Sequence, residues 1–302
     1  MSIKLYKKKK ELSSMVLEVL PSSLYRSPNI EVLLKNSASS IIYKSLPQSL
    51  VNKKMYLSSV AILLIVKGEQ AIKDYDGVDL VVKENEMVIL PKDLYIVSDF
   101  VINNKKFEAV LFFIDDLLIK KFSLVSSITL NKIKFKNKAK KTKTPTRVNK
   151  YIHSLREIYQ GSTNSKALLE IKILEFLLLL EIHEKSKVLI SNLINPVEKR
   201  NIKDFMEDNC LENLKLIDYA TLTGRSVSTF NREFKRIYGT TPKQWLIKKR
   251  LNKAHELLSN TSLNVTQVSM EVGYENVSHF IQAYKKIYKV TPKDTQFSKN
   301  KW

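Results

Sequence analysis

Cysteine is almost missing from this chain: Cys210 is the only one in 302 residues. A single thiol excludes an internal disulfide and every zinc motif built from several cysteines. Glycine is scarce, with six residues, and no phosphate-cradling glycine loop is found. Long apolar runs are lacking as well. The most hydrophobic segment, residues 171–182 (IKILEFLLLLEI), is too short to span a bilayer and is interrupted by Lys172, Glu175 and Glu181. The start, MSIKLYKKKKELSS, is basic but leads into no signal-peptide-like stretch, so a soluble cytoplasmic protein is the expectation, with no membrane partner. Acidic residues are few: 30 Asp and Glu face 51 Lys and Arg, a formal net charge of +21. Such a field suits nucleic acid, an anionic membrane surface or an acidic protein, and by itself does not choose among them. Lysine greatly outnumbers arginine, which also fits an A/T-rich coding sequence.

What is present is a duplication. Residues 226–243 (SVSTFNREFKRIYGTTPK) recur at 276–293 (NVSHFIQAYKKIYKVTPK) with half of the aligned positions identical. Each copy opens on an N-cap residue, Ser226 or Asn276, and places apolar residues at helical spacing: Val227, Phe230, Phe234 and Ile237, then Val277, Phe280, Tyr284 and Ile287. Each ends in Thr-Pro. Just before each copy lies a short amphipathic segment ending in glycine, residues 216–224 and 265–273, so each unit reads helix, tight turn, helix. Ala220 and Ser269, four positions before those glycines, are small enough to let the second helix cross closely. Between the units, TPKQWLIKKRLNKAHELLSN starts with Pro242 in a first turn and carries a stripe of Trp245, Leu246, Leu251, Ala254, Leu257 and Leu258. Such a connector would fix the units so that both second helices enter successive major grooves of a duplex.

The preceding half reads differently. Residues 1–40 are weakly patterned and are assigned only an irregular arm. From about Ile41, short β-like runs follow at 60–66, 70–73, 78–82, 87–90, 94–97 and 107–114, with turn signals between them. This spacing suggests a small sandwich or barrel. Residues 120–150 contain no acidic residue, which fits a solvated linker or an auxiliary phosphate contact. Segments 148–159 and 165–185 look helical. The second is apolar around most of its circumference and needs cover on more than one side, from its own barrel, from a second copy of the chain, or from both.

The C-terminal pattern, LTGRSVSTFNREFKRIYGTTPKQWLIKKRLNKAHELL followed by VSMEVGYENVSHFIQAYKKIYKVTP, resembles the double helix-turn-helix domain of the AraC/XylS transcription regulators. More loosely, the 66–69 turn and Leu90-Pro91 are similar to the cupin-like sensor domains that often precede it. The resemblance implies an α+β chain: a small cupin-like β-barrel at 41–147, dimerisation helices at 148–190, and an all-α DNA-binding domain at 198–297. Within that domain it implies helix-turn-helix units at about 216–237 and 264–287 joined by a linker helix at about 242–259. It further implies that Ser228, Thr229, Asn231, Arg232, Ser278, His279 and Gln282 read bases, types suited to base edges. Arg225, Ser226, Lys235, Arg236, Asn276, Lys285 and Lys286 would contact phosphates and set register. The family pattern carries departures here: Ser269 stands where Ala is common, Lys289 where Gly is common, and Arg225 where an apolar residue is common.

The resemblance implies a promoter-binding transcription factor, an activator that acts as a homodimer, contacts RNA polymerase and answers a small-molecule or protein effector. An architectural or repressive DNA binder without an inducer is the alternative. An enzyme loses its ligands: a metal-dependent cupin needs a His and carboxylate cluster in the barrel, but His153, His183, His255 and His279 all fall outside it. No catalytic residues, metal or cofactor are therefore expected. Cys210 lies in the expected first helix of the DNA-binding domain, away from any dedicated nucleophile site.

Overall fold

The computed structural model describes residues 17–36, 38–74, 79–103, 105–128, 139–161, 165–190 and 199–298. It divides into two compact units, broadly residues 16–196 and 197–302.

The first unit holds eleven strands in two sheets. The strands are β1 (Glu18–Leu20), β2 (Ile30–Lys35), β3 (Ser40–Leu46), β4 (Leu50–Leu57), β5 (Val60–Lys67), β6 (Glu69–Asp74), β7 (Asp79–Lys83), β8 (Glu86–Leu90), β9 (Leu94–Phe100), β10 (Phe107–Ile114) and β11 (Lys140–Lys143). One sheet runs β1-β4-β9-β6-β7 and the other β11-β8-β5-β10-β3-β2. Neighbours are antiparallel, except that β1 runs parallel to β4. The expected barrel is thus corrected to two open sheets, because among the described residues no ladder joins an edge of one to an edge of the other.

Alternation along β5 explains the layering. Ala61, Leu63 and Ile65 enter a core shared by both sheets, with Ile72, Val82, Val97 and Phe113. Val60, Ile62 and Leu64 face the other way, into a second core made with α1 (Asp116–Val125), α2 (Thr146–Tyr159), α3 (Lys166–Glu181) and α4 (Glu184–Ile190). A strand covered on both faces reads as a continuous apolar run, as VAILLIV does. The helical layer is keyed to the sheet by Phe112 and Phe176, whose rings stack 3.8 Å apart and 5° from parallel. Burial of Phe176 and its neighbours uses only one side of α3. Ile171, Leu174, Leu178, Leu179 and Ile182 line a shallow apolar groove on the surface.

Several expectations change. Residues 1–40 are not wholly irregular: β1 and β2 lie there, and a bulge between Val32 and Leu34 turns both Leu33 and Leu34 toward the helices, which erases the period-two signal. β3 and β4 also escaped the reading. Lys44 on β3 looks out of place in a core until its partner is seen: its Nζ donates to Asp99 Oδ2 at 2.6 Å, while Gln70 Nε2 donates to Asp99 Oδ1 at 2.6 Å. A buried lysine is tolerable because its carboxylate is fully engaged. The acid-free tract is not simply linker, since α1, β11 and the start of α2 occupy its ends; residues 129–138 lie outside the described residues. Most of the polar stretch 191–200 lies outside them as well. No helix among the described residues is long and apolar enough to cross a membrane.

The second unit is all helical: α5 (Ile202–Asn209), α6 (Leu216–Leu222), α7 (Val227–Tyr238), α8 (Pro242–Asn260), α9 (Val265–Glu271), α10 (Val277–Tyr288) and α11 (Pro292–Ser298). The long connector α8 serves two cores. Its first turns bury Trp245 and Leu246, and Trp245 meets Phe234 and Tyr238 of α7 at ring distances of 5.6 and 4.9 Å. Its later turns bury Leu251, Ala254 and Leu258 with Val268, Val272, Phe280 and Tyr284 of α9 and α10.

Candidate nucleic-acid interface

Each pair α6–α7 and α9–α10 is a helix-turn-helix with the same local logic. Ala220 and Ser269 are fully buried at the crossing. Gly224 and Gly273 follow the first helices at φ of 71° and 79°, a region open to glycine at no steric cost. The next residue then donates its N–H back to the crossing residue: Arg225 to Ala220 O and Tyr274 to Ser269 O, both at 2.9 Å. The second helices start on side-chain caps. Ser226 Oγ accepts from Thr229 N at 3.3 Å, and Asn276 Oδ1 accepts from His279 N at 3.1 Å. Phe230 and Phe234 in one unit, Phe280 and Tyr284 in the other, are completely buried. The opposite faces are left to solvent.

On those faces Ser228, Arg232, Lys235, Arg236 and Ser226 of the first unit are exposed, as are Ser278, His279, Gln282, Lys285, Lys286 and Asn276 of the second. Thr229 and Asn231 are half-buried. Thr229 Oγ1 lies 3.0 Å from Ser226 Oγ, and Asn231 aligns with Ile281, which packs on the second unit's core. Ile237 and Ile287, read from the sequence as part of the buried stripe, are instead 42% and 44% exposed, because the stripe rotates off the core one turn after Phe234 and Tyr284.

Arg225, expected to contact phosphate, is anchored within the protein. Its Nε donates to Glu233 Oε2 at 2.8 Å and its Nη1 to Arg200 O at 2.8 Å and to Thr223 O. Three of the five guanidinium N–H donors, on Nε and Nη1, are thus engaged inside the helical unit. The hydrogen bond from Arg225 holds the Glu233 carboxyl below its ordinary range, with Arg225's charge and nearby Lys199 and Arg236 adding to it.

The residue that sequence reasoning missed is Arg250 on α8. Its Nε donates to Cys210 O at 2.9 Å, its Nη2 to Glu212 O at 2.5 Å and its Nη1 to Gly273 O at 3.0 Å. One side chain thereby ties the segment between α5 and α6 to the turn of the second unit. At the same place the two units touch directly: a Cβ built on Gly273 would sit 2.3 Å from Leu211 O. Asn213 Nδ2 adds a bond to Glu275 Oε1 at 2.8 Å. The available signal was an arginine placed on the apolar stripe between Leu246 and Ala254, where a helix normally buries carbon.

The second unit has one further lock. His255 Nδ1 on α8 lies 2.6 Å from the Tyr284 hydroxyl, which lies 3.0 Å from Thr295 Oγ1 on α11. His255 therefore works as internal packing, unlike the exposed His279. Burial pushes the Glu271 carboxyl upward, and the neighbouring Glu212 charge pushes the same way. Among the described residues no three His, Cys, Asp or Glu side chains are grouped so as to hold a metal ion. The arrangement offers two exposed polar helix faces, rich in donors and cations, on one braced scaffold.

Comparison with known proteins gives two family matches: a helix-turn-helix domain over residues 219–297 and an ExsA N-terminal regulatory domain over residues 60–192. The chain is similar to the virulence regulon transcriptional activator VirF of Yersinia enterocolitica, 32% identical over 151 residues, which are 49% of this chain and 55% of that protein. It is also similar to the HTH-type transcriptional regulator ExsA of Pseudomonas aeruginosa, 29% identical over 133 residues, or 43% of this chain and 48% of that one. The chain spans about half the length of these relatives. Among solved structures, unsaturated fatty acid bound wild-type ToxT from Vibrio cholerae strain SCE256 aligns over 87% of this chain and 96% of its own, at a TM-score of 0.44 and 15% identity.

Proposed function

We propose that this chain is a transcription regulator of the AraC/XylS type, a sequence-specific promoter-binding factor that activates transcription. The observation that carries this reading is the brace around Arg250, which presents two capped helices as one body. In the first unit Ser228 and Arg232 read base edges, with Thr229 and Asn231 at the margin of the groove; in the second, Ser278, His279 and Gln282 do so. Lys235, Arg236, Lys285 and Lys286 neutralise phosphates, while Ser226 and Asn276 cap their helices and offer their helix N-termini to the backbone.

The 60–192 region is the regulatory part, receiving a small-molecule or protein signal, and the DNA-bound form addresses RNA polymerase. Dimerisation is through α3: Ile171, Leu178 and Ile182 are 58%, 38% and 62% exposed along one stripe, a pattern suited to the same helix of a second copy. Ile171→Asp with Leu178→Asp should then convert a dimer to a monomer in sedimentation while leaving the fold intact.

Genome-wide mapping of bound sites, followed by competition binding at moderate salt, tests the DNA reading. A regulator favours its own site over bulk DNA by a factor of roughly 10³ or more. Equal affinity for both would instead make the chain an architectural binder.

A further inference from the structure

Both second helices end on a residue in the left-handed region, Gly239 at φ 68° and Lys289 at φ 64°. Glycine takes that conformation freely, whereas a side chain there crowds the following carbonyl. A Cβ at 239 would meet nothing within 4 Å, so glycine there is chosen for its backbone and not for lack of space. The second unit places a lysine in the same strained geometry, its N–H closing the helix on Lys285 O at 2.9 Å.

That cap hydrogen bond comes from the backbone, and among the described residues the Lys289 side chain adds no contact inside the unit to it. The Lys289 side chain is exposed and has no hydrogen bond or ion pair among the described residues. The nearby carboxylate of Asp294 is held by Thr291, through its N–H at 2.9 Å and its hydroxyl at 2.6 Å. Lys289 instead extends a run of cations: it lies four residues after Lys285 and three after Lys286, both exposed, at the end of a helix that bears no acidic residue. The matching helix of the first unit carries Glu233. A cation kept at a left-handed position with its side chain unpartnered among the described residues points to a partner outside the chain.

We propose that Lys289 is an additional phosphate-contacting residue of the second unit, gripping the DNA backbone at the exit of the groove where the first unit has none. The proposal rests on the reading of this unit as a duplex binder. It gives the second unit one more phosphate contact beyond Lys285 and Lys286, alongside its base-reading positions.

The test uses the full chain and three forms: unaltered, Lys289→Gly and Lys289→Gln. Each is titrated against a fluorescent mixed-sequence duplex over a range of salt, and each is melted without DNA. Loss of one phosphate contact lowers the slope of log K against log salt by about 0.9. Both variants should show that decrease, and Lys289→Gly should also melt a few degrees higher, having shed the strain. Slopes equal to that of the unaltered chain in both variants would overturn the assignment, whatever the melting. Failure of the unaltered chain itself to bind any duplex at low salt would overturn the underlying DNA reading, and is a separate result.

Discussion

The two helix-turn-helix units share half of the residues aligned from 226–243 to 276–293 yet close their turns by different means. In the first, the residue after the turn glycine is Arg225, and it seals the unit from within through Glu233 and the carbonyls of Arg200 and Thr223. In the second, the same position is Tyr274, which packs edge-on against Phe280 at 5.4 Å, and the polar seal comes from Arg250 on the connector. The first unit therefore carries its own lock, whereas the second borrows one. Duplication supplied two similar readers, and divergence made the geometry of the second depend on the connector and on Leu211.

The largest break in that symmetry should come from the glycines. Gly273→Ala combines the left-handed strain with a Cβ 2.3 Å from Leu211 O, and should cost about 3–4 kcal/mol. Gly239→Ala meets open space and should cost only about 1 kcal/mol. Urea unfolding of both variants checks the difference, and equal losses would remove the tight approach as its cause.

Next in size are the positions proposed to read bases. Arg232→Ala and Gln282→Ala should each relax preference at one base pair by about 1–3 kcal/mol, at different places in the bound site, while Lys235→Ala weakens all sequences alike. Selection from randomised duplexes reads this directly. A shift at the same base pair for Arg232 and Gln282 would contradict two separate readers.

A smaller effect is expected at the helix crossings. Ala220 and Ser269 occupy equivalent buried places, but the Ser269 hydroxyl has no hydrogen-bond partner among the described residues. Ser269→Ala should stabilise the protein by about 1 kcal/mol, measured by thermal melting, by ending an unpaid desolvation.

The last contrast is in pH response. Glu233 is held low by the Arg225 hydrogen bond, so its contribution is complete above its ordinary value of 4.5 and fades as pH falls through the depressed one. Glu271 is held high by burial first and by Glu212 second, so its penalty is full above the raised value and is gone below 4.5. Glu271→Gln should therefore raise the melting temperature near neutrality and Glu233→Gln should lower it; the first difference should be gone below 4.5, and the second should start to shrink only below 4.5. Melts from pH 7 to pH 3.5 decide the matter.

The helical unit was the more legible part of this chain because its signals are local. Caps at Ser226 and Asn276, glycines at the turns and stripes at helical period each lie within a few residues of what they specify. Ile237 and Ile287 misled for the same reason: periodicity continued past the point where the core ended. Arg250 was missed because its partners are backbone carbonyls of distant segments, and carbonyls leave no trace in residue identity. In the β unit, the runs that fill both cores were readable, whereas β2 and β4 were hidden by bulges and β11 by the lysines of an edge strand. The aligned positions 231 and 281 show the limit for the interface itself: Asn231 and Ile281 differ in type but share a half-buried place that only packing reveals.

One feature of the first unit bears on how the chain is made. The β5 segment is uncharged up to Lys67 and half β-branched, and the core on its helix-facing side is completed only when α3 arrives, roughly a hundred residues later, which ribosomes emitting about 5–20 residues per second deliver after several seconds. During that interval the emerging strand has the makings of a cross-β seed, so its yield in a cell should depend on chaperone supply more than on the melting point of the finished protein.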